Sequence, residues 1–207
     1  MLNLLMDGSS RPASELAAAA QVSPSTASEH LGVLVDAGLV TATSRGRQRF
    51  YRIKGPAVAR ALEELGTMCP ETPVISLRQS SEARRLAFAR LCYDHLAGCL
   101  GVALTESMTA MDWLSDSDDT LQVTSTGLEA LAALGIQGRR EAPGRRPLCR
   151  PCPDWTERRP HLGGALGALL ADHALASGWV RRSVSGRGLT VTDSGVAAFK
   201  LHWGVSL

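Results

Sequence analysis

The chain has 207 residues, of which 44% are hydrophobic and 20% charged, as in an ordinary globular chain and unlike a disordered one. No apolar stretch approaches the ~20 residues of a membrane span, and residues 1–7 carry no signal-peptide pattern, so a cytoplasmic protein with no membrane partner is expected. The formal net charge is only +2, which by itself gives no reason to expect nucleic acid.

That total conceals an uneven distribution. Residues 1–66 hold seven basic and six acidic side chains, residues 67–136 four and nine, and residues 137–207 eleven and five. Residues 37–62 contain no acidic residue, yet Arg45, Arg47, Arg49, Arg52, Lys54 and Arg60 all fall there. A local basic run on a near-neutral chain points to nucleic acid better than the total does, although a solvated face has the same charge. The five cysteines (Cys69, Cys92, Cys99, Cys149, Cys152) are sparse and odd in number. They read as cytosolic thiols rather than a disulfide framework.

Leu2, Leu4, Leu5 and Met6 form an apolar helical end, stopped by Asp7-Gly8. Residues 12–20 are a short alanine-rich helix. Ser23 is a good N-cap with Pro24 at the first helical position. Leu31, Leu34 and Val35 share one face of the helix that follows, and Gly38 ends it. Two helices joined by a short turn are a helix-turn-helix pattern. The second exposes Ser25, Thr26, Ser28, Glu29 and His30 at its N-terminal end, short polar groups that can meet base edges and phosphates. Residues 39–43 then read as a strand, 44–47 as a turn and 48–53 as a return strand. A hairpin with arginines at its tip, directly after a helix-turn-helix, is a wing whose arginines follow the phosphate backbone or enter the minor groove.

Val22-Ser23-Pro24-Ser25-Thr26-Ala27-Ser28-Glu29-His30-Leu31, then Leu34, Ala37-Gly38-Leu39-Val40 and the wing at 45–51, resemble the ArsR-type winged-helix repressors. The resemblance covers about residues 1–66. It implies a homodimer that binds double-stranded palindromic operator DNA and lets go when an effector binds. It assigns DNA contact to Ser23, Ser25, Thr26, Ser28, Glu29, His30, Arg45, Arg47, Gln48, Arg49 and Tyr51. Two departures stand out. The family starts with a further helix ahead of the one at which this chain begins. Its metal-sensing members also carry a cysteine pair near the recognition helix, where residues 15–21 here are almost all alanine.

Residues 67–83, with Pro70 and Pro73, look like a linker, and a helix is predicted over about 82–109. An internal repeat follows. His95-Leu96-Ala97-Gly98-Cys99-Leu100-Gly101 matches His161-Leu162-Gly163-Gly164-Ala165-Leu166-Gly167 at an offset of 66, as do Leu104 with Leu170 and Trp113 with Trp179. Leu121-Gln122-Val123-Thr124 then matches Leu189-Thr190-Val191-Thr192 at an offset of 68. Each unit reads as helix, Trp-led strand, turn, return strand and helix, the order of the first domain's 31–62. The expected fold is therefore mainly α with small β-hairpin wings (α+β). A winged helix-turn-helix at 1–66 and a linker at 67–83 precede an effector and dimerisation domain at 84–207, made of two winged-helix-like repeats (about 92–136 and 158–204). The repeat helices are rich in Gly and Ala, which suits close helix packing better than a ligand cavity.

Residues 138–160 read as a basic loop with Arg139, Arg140, Arg145, Arg146, Arg150, Arg158 and Arg159. Together with Cys92-Tyr93-Asp94-His95-Leu96, this stretch resembles a subgroup of ArsR-type regulators with an extended C-terminal effector part. Cys149-x-x-Cys152 has the spacing of half a zinc site. Completing it would take ligands from Cys92, Asp94, His95, Cys99 or His161. The pair could instead form a reversible disulfide, its thiols activated by Arg150, or be two partly buried cysteines in a stiff loop. Cys92 and His95 at i, i+3 would share a helix face. The repeat equivalence of His95 and His161 favours a shared structural role for each. Trp113 and Trp179 read as core, whereas Trp155 has no repeat partner and is the better ligand-contact candidate. The effector is then a metal ion such as zinc, a metalloid, a thiol oxidant or a small molecule. The rival functions are an enzyme with Cys92 or Cys152 as nucleophile and His95 or His161 as base, and an interaction module that does not bind DNA. No phosphate loop, nucleophile elbow or H-E-x-x-H supports the enzyme.

Overall fold

A computed structural model describes residues 1–69, 77–117, 120–137, 146–183 and 186–207, with backbone only at 77–80 and 117. Among the described residues, helices alternate with small antiparallel sheets, a mixed α+β chain.

The N-terminal part contains α1 (Leu2–Leu5), β1 (Arg11–Pro12), α2 (Ala13–Ala20), α3 (Pro24–Asp36), β2 (Val40–Arg45), β3 (Gln48–Ile53) and α4 (Pro56–Met68). The Ser23 hydroxyl accepts from the Thr26 amide and Pro24 opens α3, so the start of the second helix is capped as its sequence predicts. The wing pairs Val40 with Ile53 through to Arg45 with Gln48, turning on Gly46-Arg47 with Gly46 at φ +60°. The short strand β1 was not foreseen. It adds Arg11 and Pro12 to the free edge of β3, giving the order β1-β3-β2. Leu5, Leu16, Leu31, Val40, Tyr51, Ile53 and Ala59 form the core beneath α3 and the wing.

The C-terminal part runs α5 (Leu77–Phe88), β4 (Arg90–Cys92), β5 (His95–Ala97), α6 (Gly98–Ala110), β6 (Leu114–Ser117), β7 (Thr120–Val123) and α7 (Ser125–Ala133). It continues with β8 (Arg150–Pro153), β9 (Pro160–Gly163), α8 (Gly164–Ala176), β10 (Val180–Arg182), β11 (Leu189–Val191) and α9 (Asp193–Trp203). The predicted helix over 82–109 is thus two helices with a hairpin between them. The chain reverses at Tyr93, which adopts φ +62°, and Cys92 pairs with His95 across the hairpin. Both strands are buried on both faces, so no alternation of apolar and polar residues betrayed them. The predicted linker also changes: α4 extends to Met68, residues 77–83 lie in α5, and residues 70–76 fall outside the described residues. In the basic loop, Arg139, Arg140 and Arg145 likewise lie outside them.

A second core gathers Leu91, Leu96, Leu100, Leu104, Met108, Leu162, Leu166, Leu170, Phe199 and Trp203. Trp113 and Trp179 pack on it, each edge-on to Trp203, as expected of core residues. The helices cross over the hairpins, α6 against β9 and α8 against β5. A Cβ on Gly101 would strike the Leu96 carbonyl oxygen, with His161 Cβ 3.5 Å away. One on Gly167 would strike the Leu162 carbonyl oxygen, with His95 Cβ 3.1 Å away. The small residues therefore serve close approach, and the space left between α6 and α8 is about 10 Å³, at most a water. Replacing Gly167 by Ala is expected to destabilise the chain by about 1–3 kcal/mol through overpacking. An unchanged urea midpoint would contradict this.

Candidate nucleic-acid interface and the buried Cys–His cluster

The N-terminal turn of α3 presents Ser23, Ser25, Ser28, Glu29 and His30 to solvent, with Thr26 partly exposed. Ser23 Oγ lies 2.8 Å from Ser25 Oγ and 2.9 Å from Thr26 Oγ1, which gathers the hydroxyls at the positive end of the helix. Arg45, Arg47, Gln48 and Arg49 are exposed along the hairpin, and Arg45 lies 5.1 Å above the Phe50 ring. Tyr51 departs from the expected set. It is 4% exposed and belongs to the core, with Arg49 5.6 Å above its ring, so it supports the wing rather than facing a ligand. Alternation along β3 puts Tyr51 on the inner face.

The second site is internal. Cys92, His95, Cys152 and His161 are all buried, and one donor atom from each lies within 4.8 Å of the others. The hairpins β4–β5 and β8–β9 build it in parallel ways: Cys92 is in register with His95, and Cys152 with His161. The sulfurs are 3.9 Å apart and the two Nε2 atoms 3.1 Å apart. Burial and the hydrogen bond to Cys152 push the Cys92 thiol up to about 12, Cys152 having the larger effect.

Each imidazole has a carboxylate behind it. His95 Nδ1 is 3.2 Å from Asp94, which Arg146 holds through both terminal nitrogens. His161 Nδ1 is 3.0 Å from Asp154 Oδ2, close enough for an ion pair but bent away from an aligned hydrogen bond. Asp154 also accepts from Arg90, from the Gly98 amide and from the Thr156 amide and hydroxyl. Burial pushes its pKa up, but His161 and Arg90 more than reverse this and hold it far below the carboxylate range.

The cluster adjoins the DNA-binding part along two routes. Arg90 joins Asp154 to Glu63 of α4 at 2.9 and 3.0 Å, all three fully buried, and Arg187 reaches Glu63 at 2.6 Å. In the turn between Cys92 and His95, the Tyr93 amide donates to the Met6 carbonyl, and Arg52 of β3 lies 5.8 Å above the Tyr93 ring.

Of the sequence candidates, the structure brings together Cys92, His95, Cys152 and His161, with Asp94 behind His95. Cys99 and Cys149 lie outside this group, so only one cysteine of Cys149-x-x-Cys152 belongs to it. Trp155 lies away from this group, between the two parts of the chain. Its ring packs on Gly66 of α4 and lies 5.2 Å from the Arg90 guanidinium, filling the junction between the two parts. Sequence reasoning missed Asp154, Arg90, Glu63 and Arg187, because an ion-pair set drawn from four distant segments leaves no local pattern.

A capped helix with an exposed polar N-terminal face, followed by an arginine hairpin, defines a winged helix-turn-helix DNA-binding domain. Residues 1–42 match the bacterial regulatory protein, arsR family. The chain is also 40% identical over 203 residues, 98% of its own length and 90% of the relative's, to the HTH-type transcriptional regulator YdfF of Bacillus subtilis (strain 168). The chain belongs to this family of HTH-type regulators and is a DNA-binding transcription regulator. No solved structure matches it, and no helix among the described residues is long and apolar enough to cross a membrane.

Proposed function

We propose that the chain is a cytoplasmic, homodimeric repressor that reads an operator with α3, grips its phosphates with the wing, and is released by an effector bound in the C-terminal domain. The observation that carries this reading is the exposed set Ser25, Ser28, Glu29 and His30, with the partly exposed Thr26, beside Arg45, Arg47 and Arg49. Leu65 and Met68, 58% and 80% exposed on α4, offer a self-complementary contact for the dimer. The twofold run of strand pair, helix, strand pair and helix supports a C-terminal domain of two winged-helix-like repeats. The buried Cys–His cluster is the effector's place in this reading, because its second-layer groups reach α4 and its hairpin turn reaches β3. A cysteine nucleophile fits poorly, since Cys92 and Cys152 are 0% and 3% exposed.

Gel retardation tests the DNA reading. Arg47→Ala or Arg49→Ala should weaken binding to all sequences and flatten the salt dependence by roughly one phosphate contact each. Changes at Thr26 or His30 should instead alter which sequence is preferred. If none of these variants affects retardation, the reading fails.

A further inference from the structure

We propose that Cys92, His95, Cys152 and His161 bind one divalent ion of the zinc class in tetrahedral geometry, and that this ion is the effector of the C-terminal domain. The second half rests on the reading of that domain as the effector domain; the first half stands on geometry. A tetrahedron with metal–sulfur bonds of ~2.3 Å and metal–nitrogen bonds of ~2.0–2.1 Å has a sulfur–sulfur edge of about 3.8 Å and a nitrogen–nitrogen edge of about 3.3 Å. The observed edges are 3.9 and 3.1 Å.

The carboxylates behind the rings point to the same site. Asp94 lies behind Nδ1 of His95, and Asp154 behind Nδ1 of His161. With each Nδ1 on its carboxylate side, the Nε2 atoms are the ring nitrogens that face each other and the sulfurs, and they are the ones placed to bind an ion. The carboxylates are then outer partners that fix the tautomer and aim the ring, as behind metal-bound histidines generally. Loading balances: Cys92 and Cys152 each release one proton to solvent and form a metal–sulfur bond, and the two thiolates cancel the ion's double charge. The centre is neutral, as a buried site requires.

The donor set excludes other chemistries. Calcium and magnesium need six or more oxygen ligands, and the nearby carboxylates sit on the far sides of the imidazoles. All four donors come from the protein, so the ion has no open position for catalysis. The occupant is a closed-shell or cobalt-like tetrahedral ion held by borderline and soft donors.

The reduced full chain titrated with cobalt(II) tests the site. The expected result is one cobalt per chain, with the intense visible bands of a tetrahedral centre and thiolate-to-cobalt charge transfer, both removed by stoichiometric zinc. Cys152→Ser and His161→Ala should lose the tetrahedral spectrum, whereas Cys69→Ser, Cys99→Ser and Cys149→Ser should keep it. His95→Cys should keep it with stronger charge transfer, three thiolates replacing two, which separates ligation from folding. A weak octahedral spectrum, a tetrahedral one that survives Cys152→Ser, or one lost with Cys149→Ser would overturn the site. Retardation of operator with and without zinc tests the second half separately. Equal affinity with a loaded site overturns the effector role alone. Absence of retardation in either state removes the operator reading and leaves the metal site standing.

Discussion

Glu63→Ala is expected to destabilise the full chain by about 3–5 kcal/mol, because it breaks a buried ion-pair set by removing one partner. Glu63 is shared by two buried guanidiniums, Arg90 at 3.0 Å and Arg187 at 2.6 Å. Burial raises its pKa, but Arg187 and Arg90 more than reverse this and keep it ionised. Removing it leaves two cations in a dry junction with only Asp154 to balance them, and Asp154 is also engaged with His161. A domain is stable by roughly 5–15 kcal/mol in total, so such a loss is severe. Glu63→Gln keeps the shape and one acceptor but loses the charge, and should fall between the wild type and Glu63→Ala. The neighbouring Glu64 is a matched control. It pairs with Arg60 at 3.6 Å with both side chains nearly half exposed, a geometry in which an i, i+4 pair contributes about 0.3–0.5 kcal/mol. Urea unfolding of the two alanine variants settles the comparison, and equal midpoints would show that the buried set contributes nothing special.

The same junction shows what the sequence could carry. The recognition helix was legible because its signals are local: a serine cap, a proline at the first position, and apolar residues at helical spacing. The wing was legible because strand, turn and strand follow one another with arginines between. The resemblance assigns Tyr51 to the DNA along with the rest of the wing, whereas alternation along β3 sends it inward. The Cys–His cluster was half legible. The residue types were visible, and so was the 66-residue equivalence of His95 and His161. That equivalence argued for a structural role as long as each histidine was imagined on its own helix. It becomes chemistry once both sit at the same register of two hairpins that face each other. The hairpin at Cys92–His95 was hidden because strands buried on both faces look like helix in composition, and three residues are too few to show a period. Arg90 and Asp154 lie 64 residues apart and Arg90 and Glu63 27 apart. Pairings at such distances are decided by the fold.

Zinc should raise the thermal midpoint of the full chain and chelation should lower it, with a reciprocal effect of operator DNA on zinc. Binding to the native state alone stabilises it by RT ln(1 + [L]/Kd), about 4 kcal/mol when free ion exceeds the dissociation constant a thousandfold. For a chain of this size that is a shift of roughly 8–16 °C. The increment should vanish in Cys152→Ser and persist in Cys149→Ser, although the two cysteines belong to one C-x-x-C. The operator effect follows from position. Cys92 and His95 flank the turn that docks Tyr93 against Met6 and Arg52, and His161 leads through Asp154 and Arg90 to Glu63. Drawing the two hairpins onto one ion therefore bears on both β3 and α4, the elements that aim the wing and support α3. If loading lowers operator affinity by some factor, linkage requires operator DNA to lower zinc affinity by the same factor. Competition with a chromogenic chelator, run with and without operator, measures that second factor independently of retardation. Two matching factors establish the coupling. A midpoint indifferent to zinc removes the site from the account of stability, and a zinc affinity indifferent to operator removes it from the account of regulation.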